Sequence, residues 1–160
     1  MNTGNQNTTP RFSLVLPNIR SAHNVGAFFR TADGAGVEQI YITGYSPQPP
    51  HPGLVKVSLG AENSVPWRYV RQTGRLLKQL SSQGIQIVGL EQAKNSVTLE
   101  SWQPTFPVCL VVGNEVTGLP LPLRKLCDVL VEIPMRGVKN SLNVSVAGGI
   151  ALYHVSRFLP

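Results

Sequence analysis

Apolar residues in this chain fall in short runs that alternate with amphipathic stretches. Phe12–Leu16 (FSLVL) has the length and composition of a buried strand. From Asn24 to Ala35, the residues Val25, Phe28, Phe29, Ala32 and Ala35 recur at helical spacing, and Gly36 follows as a stop. Gln39–Thr43 (QIYIT) is β-branched and aromatic and predicts a second strand. The following GYSPQPPHPG carries four prolines in ten residues and predicts a stiff surface loop. Trp67–Val70 reads as a half-buried strand or turn, Arg71–Ser82 as an amphipathic helix and Ile85–Leu90 as the strand it returns to. Val108–Val112 and Val129–Ile133 predict two more strands around a short helix at Leu121–Leu126, and Leu142–Phe158 predicts a long final helix. Strands alternating with helices, without an internal repeat or linker, predict one α/β domain with a mainly parallel sheet. The polar stretch Met1–Pro10 predicts a flexible tail, leaving residues 11–160 as the domain.

Composition narrows the function classes. The 160 residues are 42% hydrophobic and 14% charged, which suits a compact globule. A net charge of +6 favours a phosphate-rich partner over the alternative of plain solubility charge. Cys109 and Cys127 sit in apolar stretches without metal-ligand spacing, and His23, His51 and His154 are scattered. The expectation is buried thiols in a reducing cytoplasm and no metal site. No apolar run approaches the ~20 residues of a membrane span.

Ligands of open α/β sheets bind beyond the carboxyl ends of the strands. Three such ends carry polar, glycine-bearing segments: PNIRSAHNVGAFFRTA after the first strand, GNEVTGLP after Val112, and PMRGVKNSLNVSVA after Ile133. Neither the dinucleotide fingerprint G-x-G-x-x-G nor the phosphate loop G-x-x-x-x-G-K-[ST] is present. In the last helix, Ala147, Gly148, Gly149 and Ala151 let another backbone approach closely, either the chain's own or a second copy's.

Together these segments resemble the SpoU–TrmH branch of the SPOUT RNA methyltransferases. The first carries Asn24, Gly26, Ala27, Arg30, Thr31 and Ala32 of the opening motif. The second, Gly113–Leu119, is similar to G-x-E-x-x-G-L. The third, Ile133-Pro134-Met135 followed by Ser141–Ser145, is similar to I-P-M…S-L-N-V-S. The likeness spans Phe12 to Phe158. It implies a C-terminal trefoil knot, a homodimer, S-adenosylmethionine as cofactor and a ribose 2′-hydroxyl of RNA as methyl acceptor.

The same resemblance implies roles for residues. Val112, Gly113, Asn114, Glu115, Ile133, Met135, Ser141 and Leu142 would hold the cofactor. Arg30, Asn24, Glu115, Ser141 and Asn143 would form the catalytic group, with Arg30 at the reacting hydroxyl, either as general base or as a clamp on the adjacent phosphate that stabilises the alkoxide, and Asn24 orienting Arg30 or the nucleotide. The structural alternatives are that Asn24 and Ser141 cap helices and that Glu115 pairs with a nearby cation. Arg20, Arg30, Arg136 and Lys139, with Lys56 as a further candidate, would meet RNA phosphates. These residues offer no segment expected to form the added N-terminal RNA-binding domain or the flanking helices of many family members, so the target stays open, with tRNA slightly ahead of rRNA. Two rival readings remain: a base-nitrogen methyltransferase of the same superfamily, and a non-catalytic RNA binder that keeps the fold. A generic small-molecule domain would leave the three motifs as chance.

Overall fold

In the computed structural model the described residues are 8–160. Most of the stretch expected as a flexible tail lies outside them. Seven strands form one sheet: β1 (Phe12–Pro17), β2 (Gln39–Thr43), β3 (Trp67–Val70), β4 (Gln86–Leu90), β5 (Val97–Thr98), β6 (Val108–Val111) and β7 (Val129–Glu132). Their order is β3-β2-β1-β6-β4-β7-β5, and every pairing is parallel. The chain therefore steps outward from β1 to β3, crosses to β4, and returns to insert β6 between β1 and β4. All strand carboxyl ends lie along one edge.

Helices cover both faces, so the inner strands such as β1 and β6 are buried on each side. Phe12, Leu14 and Leu16 of β1 pack with Phe28 and Phe29 of α1 (Ala22–Ala35) and with Ala151, Leu152 and Val155 of α6 (Val144–Ser156). Val15, one residue out of phase, packs on the other face with Leu76, Leu77 and Leu80 of α4 (Thr73–Ser82). Burying each such side chain contributes about 1.5–3 kcal/mol. Trp67 stands edge-on to Phe29, with ring centroids 6.4 Å apart, and so belongs to the packing. Burial pushes the thiols of Cys109 and Cys127 up to about 12, so both are inert at neutral pH.

Several elements depart from the sequence expectation. The proline-rich loop ends early, because α2 (Pro52–Ser58) begins inside it. His51 Nδ1 accepts from Gly53 N at 3.1 Å and Pro52 occupies the first turn, where its missing N–H costs nothing. The short helices α3 (Ala61–Ser64) and α5 (Leu121–Arg124) flank β3 and precede β7, and α3, like β5, was not anticipated. The small residues of α6 are used within the chain: a Cβ on Gly148 would lie 2.2 Å from Phe28 Cε1. They therefore give no support to a dimer contact.

Candidate active site

The carboxyl ends of the neighbouring strands β6, β4 and β7 open onto a cavity of about 320 Å³. That is within the usual range for small-ligand sites. Its floor is Val112 and Gly113 after β6, and its walls are Leu90–Gln92 after β4 and Glu132, Ile133 and Met135 at the end of β7. Ser141, Leu142 and the first turns of α6 (Val144 and Ala147) close the far side. All eight residues expected to hold a cofactor line this one cavity.

The β6 loop turns back on itself to form the rim. Asn114 and Gly118 exchange backbone hydrogen bonds at 3.1 and 3.0 Å, and Asn114 Oδ1 accepts from the N–H groups of Val116 and Thr117. Gly118 takes a φ of 67°, the left-handed region that glycine enters freely. A Cβ on Gly113 would lie 2.6 Å from the Gly118 carbonyl carbon, so this fold of the loop excludes any side chain there.

Glu115 joins the rim to the segment after β1. Its carboxylate accepts from Arg20 N (3.1 and 2.9 Å), Ser21 N (3.1 Å) and Asn24 Nδ2 (3.0 Å). Burial alone would raise its pKa, but the hydrogen bonds from Arg20, Asn24 and Ser21 outweigh burial and hold the group below its ordinary value. It meets no cationic side chain: the one ion pair among the described residues is Arg11–Glu38. Asn143 Nδ2 in turn donates to Asn24 Oδ1 at 3.4 Å. Asn24, Glu115 and Asn143, from three different motifs, thus form one hydrogen-bonded chain.

The capping alternatives fall on other residues. Ser21, not Asn24, caps α1, accepting from Asn24 N at 3.1 Å. Asn143, not Ser141, caps α6, accepting from Ser145 N and Val146 N. Buried Asn24 is held by Glu115 and Asn143, and no hydrogen bond joins it to Arg30. Arg30 is exposed on α1 and is absent from the cavity lining. Arg20, Lys56, Arg136 and Lys139 are also exposed and outside the lining, and Arg20 meets the site through its backbone N–H.

The segment after β4 was missed by sequence reasoning. Glu91 accepts from Leu119 N at 2.6 Å, Gln92 Nε2 donates to Asn140 O at 2.9 Å, and Ser96 donates to Glu132. It therefore ties the β6 loop to the loop leading into α6. Its signal was present as one more strand end with polar residues after it, but nothing local places β4 between β6 and β7.

No arginine or lysine lines the cavity, whereas Glu91, Glu115 and Glu132 do. The arrangement suits a ligand with a positive centre and apolar surface. Among the described residues, no group of three His, Cys, Asp or Glu is placed to hold a metal ion. No helix among them is long and apolar enough to cross a membrane.

Comparison with known proteins gives a consistent result. The model of the SpoU rRNA Methylase family matches residues 11–153. The chain is 39% identical over 154 residues to a 23S rRNA (guanosine-2′-O-)-methyltransferase, RlmB, of Nitrosomonas europaea, covering 94% of this chain and 57% of that protein. The crystal structure of an AdoMet-bound rRNA methyltransferase from Sinorhizobium meliloti aligns with a TM-score of 0.86 at 29% identity, over 94% of this chain and 57% of that one. The TrmH/SpoU tRNA modifying enzyme of A. aeolicus aligns with a TM-score of 0.84 at 32% identity, over 93% and 75%. The chain spans about three fifths of the length of the rRNA-modifying relatives it matches.

Proposed function

The chain belongs to the SpoU rRNA Methylase family, and on that premise we propose that it transfers a methyl group from S-adenosylmethionine to a ribose 2′-hydroxyl of RNA. The observation that carries the reading is the convergence of eight motif residues from two loops on a single cavity. Residues 11–160 are the proposed methyltransferase domain, with the C-terminal part threaded as a trefoil knot.

The cavity fits the cofactor on its own chemistry. Gly113 leaves the floor free of side chain, Leu142, Val144 and Ile133 offer apolar walls, and a lining that contains Glu91 and Glu132 but no lysine or arginine suits a cationic ligand. When bound, S-adenosylmethionine supplies a methyl group on a sulfonium that departs as a neutral thioether. The protein's task is to orient the ribose hydroxyl, which can lower a barrier by about 7–11 kcal/mol in favourable cases. Asn24, Glu115 and Asn143 fix the geometry between the α1 N-terminus, the rim and α6, while exposed Ser141 borders the cavity. An arginine side chain stays protonated near neutrality, so Arg30 acts as a donor that grips a phosphate and stabilises the developing alkoxide, while the hydroxyl proton passes to solvent water.

Arg30 stands outside its own cavity, which favours a second subunit in the site. Val146, Ile150 and Tyr153 form an exposed apolar stripe along α6. Thr31 and Gly34, Arg30's neighbours on α1, border that helix at Gly149 and Tyr153. We propose a homodimer across this stripe, with Arg30 of one subunit serving the cavity of the other. RNA is the partner class, met by Arg20, Arg136 and Lys139. The rRNA-modifying relatives move the preferred target from tRNA to a guanosine of 23S rRNA, in the cytoplasm.

The test is methyl transfer from labelled S-adenosylmethionine to separate 23S rRNA and tRNA pools. Label in 23S rRNA, as 2′-O-methylguanosine, is the expected result. Label in tRNA alone would overturn the target, and label in neither would overturn the activity.

A further inference from the structure

An exposed tyrosine at the rim is held with unusual firmness. Tyr45 follows β2, and its side chain is 63% exposed. Its backbone N donates to Asn18 Oδ1 at 3.1 Å, and its hydroxyl accepts from Asn114 Nδ2 at 3.0 Å. The same Asn114 amide donates to Asn18 O at 2.6 Å. One asparagine of the cavity rim thus pins the ring's far end and the loop that holds its near end.

The turn beneath the ring is equally fixed. Asn18 adopts a φ of 52°, a conformation that costs a non-glycine residue energy and that gathers at functional positions. Ser46, buried next to Tyr45, accepts from Ile19 N at 2.7 Å and donates to Leu16 O at 2.8 Å. The Tyr69 hydroxyl donates to Gly44 O at 2.8 Å. A Cβ on Gly44 would lie 1.8 Å from Asn18 Oδ1, so the two turns interlock. None of this buries the ring. The network spends its hydrogen bonds on holding an aromatic face in solvent.

We propose that Tyr45 is a stacking platform for an unpaired base of the RNA substrate, next to the nucleotide being methylated. The inference rests on the RNA-methyltransferase reading above and adds a recognition residue to it. A ring already fixed at both ends gives up little freedom on binding, and every base has a face that can stack on it. Arg20 is exposed and its backbone N–H is bound to Glu115, the residue after the asparagine that holds Tyr45, so a positively charged residue belongs to the same rim. An exposed aromatic face on a rim that also carries positive charge is the combination that single-stranded nucleic acid recruits.

The experiment compares binding of a ten-nucleotide single-stranded RNA with that of the same backbone made abasic, in wild type, Tyr45→Ala and Tyr45→Phe. S-adenosylmethionine binding is measured on all three by calorimetry, and mass by sedimentation. Wild type is expected to prefer the base-bearing strand. Tyr45→Ala should weaken that strand roughly fivefold to tenfold and leave the abasic strand unchanged. Tyr45→Phe should retain most of the preference, and cofactor affinity should not move. Equal affinity of wild type for the two strands would overturn the proposal, as would an equal loss on both in Tyr45→Ala. A change of mass in Tyr45→Ala would also overturn it, assigning the ring to a contact between subunits. If wild type fails to bind S-adenosylmethionine, the methyltransferase reading falls, while the two-strand comparison still decides the stacking role.

Discussion

Glu115 accepts a hydrogen bond from the side-chain amide of Asn24 at 3.0 Å, joining positions 91 residues apart. The same carboxylate holds the N–H groups of Arg20 and Ser21, the residues that lead into α1. A single acidic side chain therefore sets how the helix bearing Arg30 meets the rim of the cavity. An ion pair would tolerate drift, whereas three donors converging on one carboxylate fix a direction.

Glu115→Gln should lower stability by about 1–2 kcal/mol at pH 7, because an amide nitrogen then faces N–H donors. The folded pKa of Glu115 is depressed, so its stabilisation is fully present above the ordinary value of 4.5 and is lost as pH falls through the lower folded value. Denaturant titrations at several pH values should show the gap between wild type and variant closing below pH 4.5. A gap that stays constant into acid would contradict this role.

Gly113→Ala puts a Cβ 2.6 Å from backbone that the Asn114–Gly118 bridge holds in place. The loop must open to admit it. We expect S-adenosylmethionine affinity to fall more than tenfold by calorimetry, with the far-ultraviolet circular dichroism spectrum unchanged.

Arg30→Ala should bind S-adenosylmethionine as wild type does and lose methyl transfer at least a hundredfold, since Arg30 is absent from the lining. Mixing it with Gly113→Ala should restore part of the activity. In such a mixed dimer one cavity is intact and is served by the other subunit's arginine. No restoration would place Arg30 in its own subunit's site.

Ile150→Lys sets a charge in the middle of the exposed stripe on α6. Sedimentation should show a shift from dimer to monomer, with the monomer's circular dichroism unchanged.

Much of this was legible in the sequence because each cue was local. The helical spacing of Val25, Phe28, Phe29 and Ala32 and the apolar runs of β1, β6 and β7 announced their elements, and the two loop motifs named the cavity's floor and one wall. Three features were not legible, for reasons of packing. The small residues of α6 fit a partner helix or the chain's own, and only the position of Phe28 decides between them. Pro52 reads as a breaker until His51 is seen capping the helix it starts. Glu91 and Gln92 became part of the site only because β4 lies between β6 and β7, an order set by crossovers that no short segment encodes.

The position of the transferred methyl group tests the central claim most directly. Methyl-labelled RNA from the reaction is hydrolysed in alkali, a cleavage that proceeds through attack by the ribose 2′-oxygen on the neighbouring phosphate. A 2′-O-methyl group blocks that attack, so the label should survive in alkali-resistant dinucleotides. Label released wholly in mononucleotides would mean methylation of a base and would contradict the account.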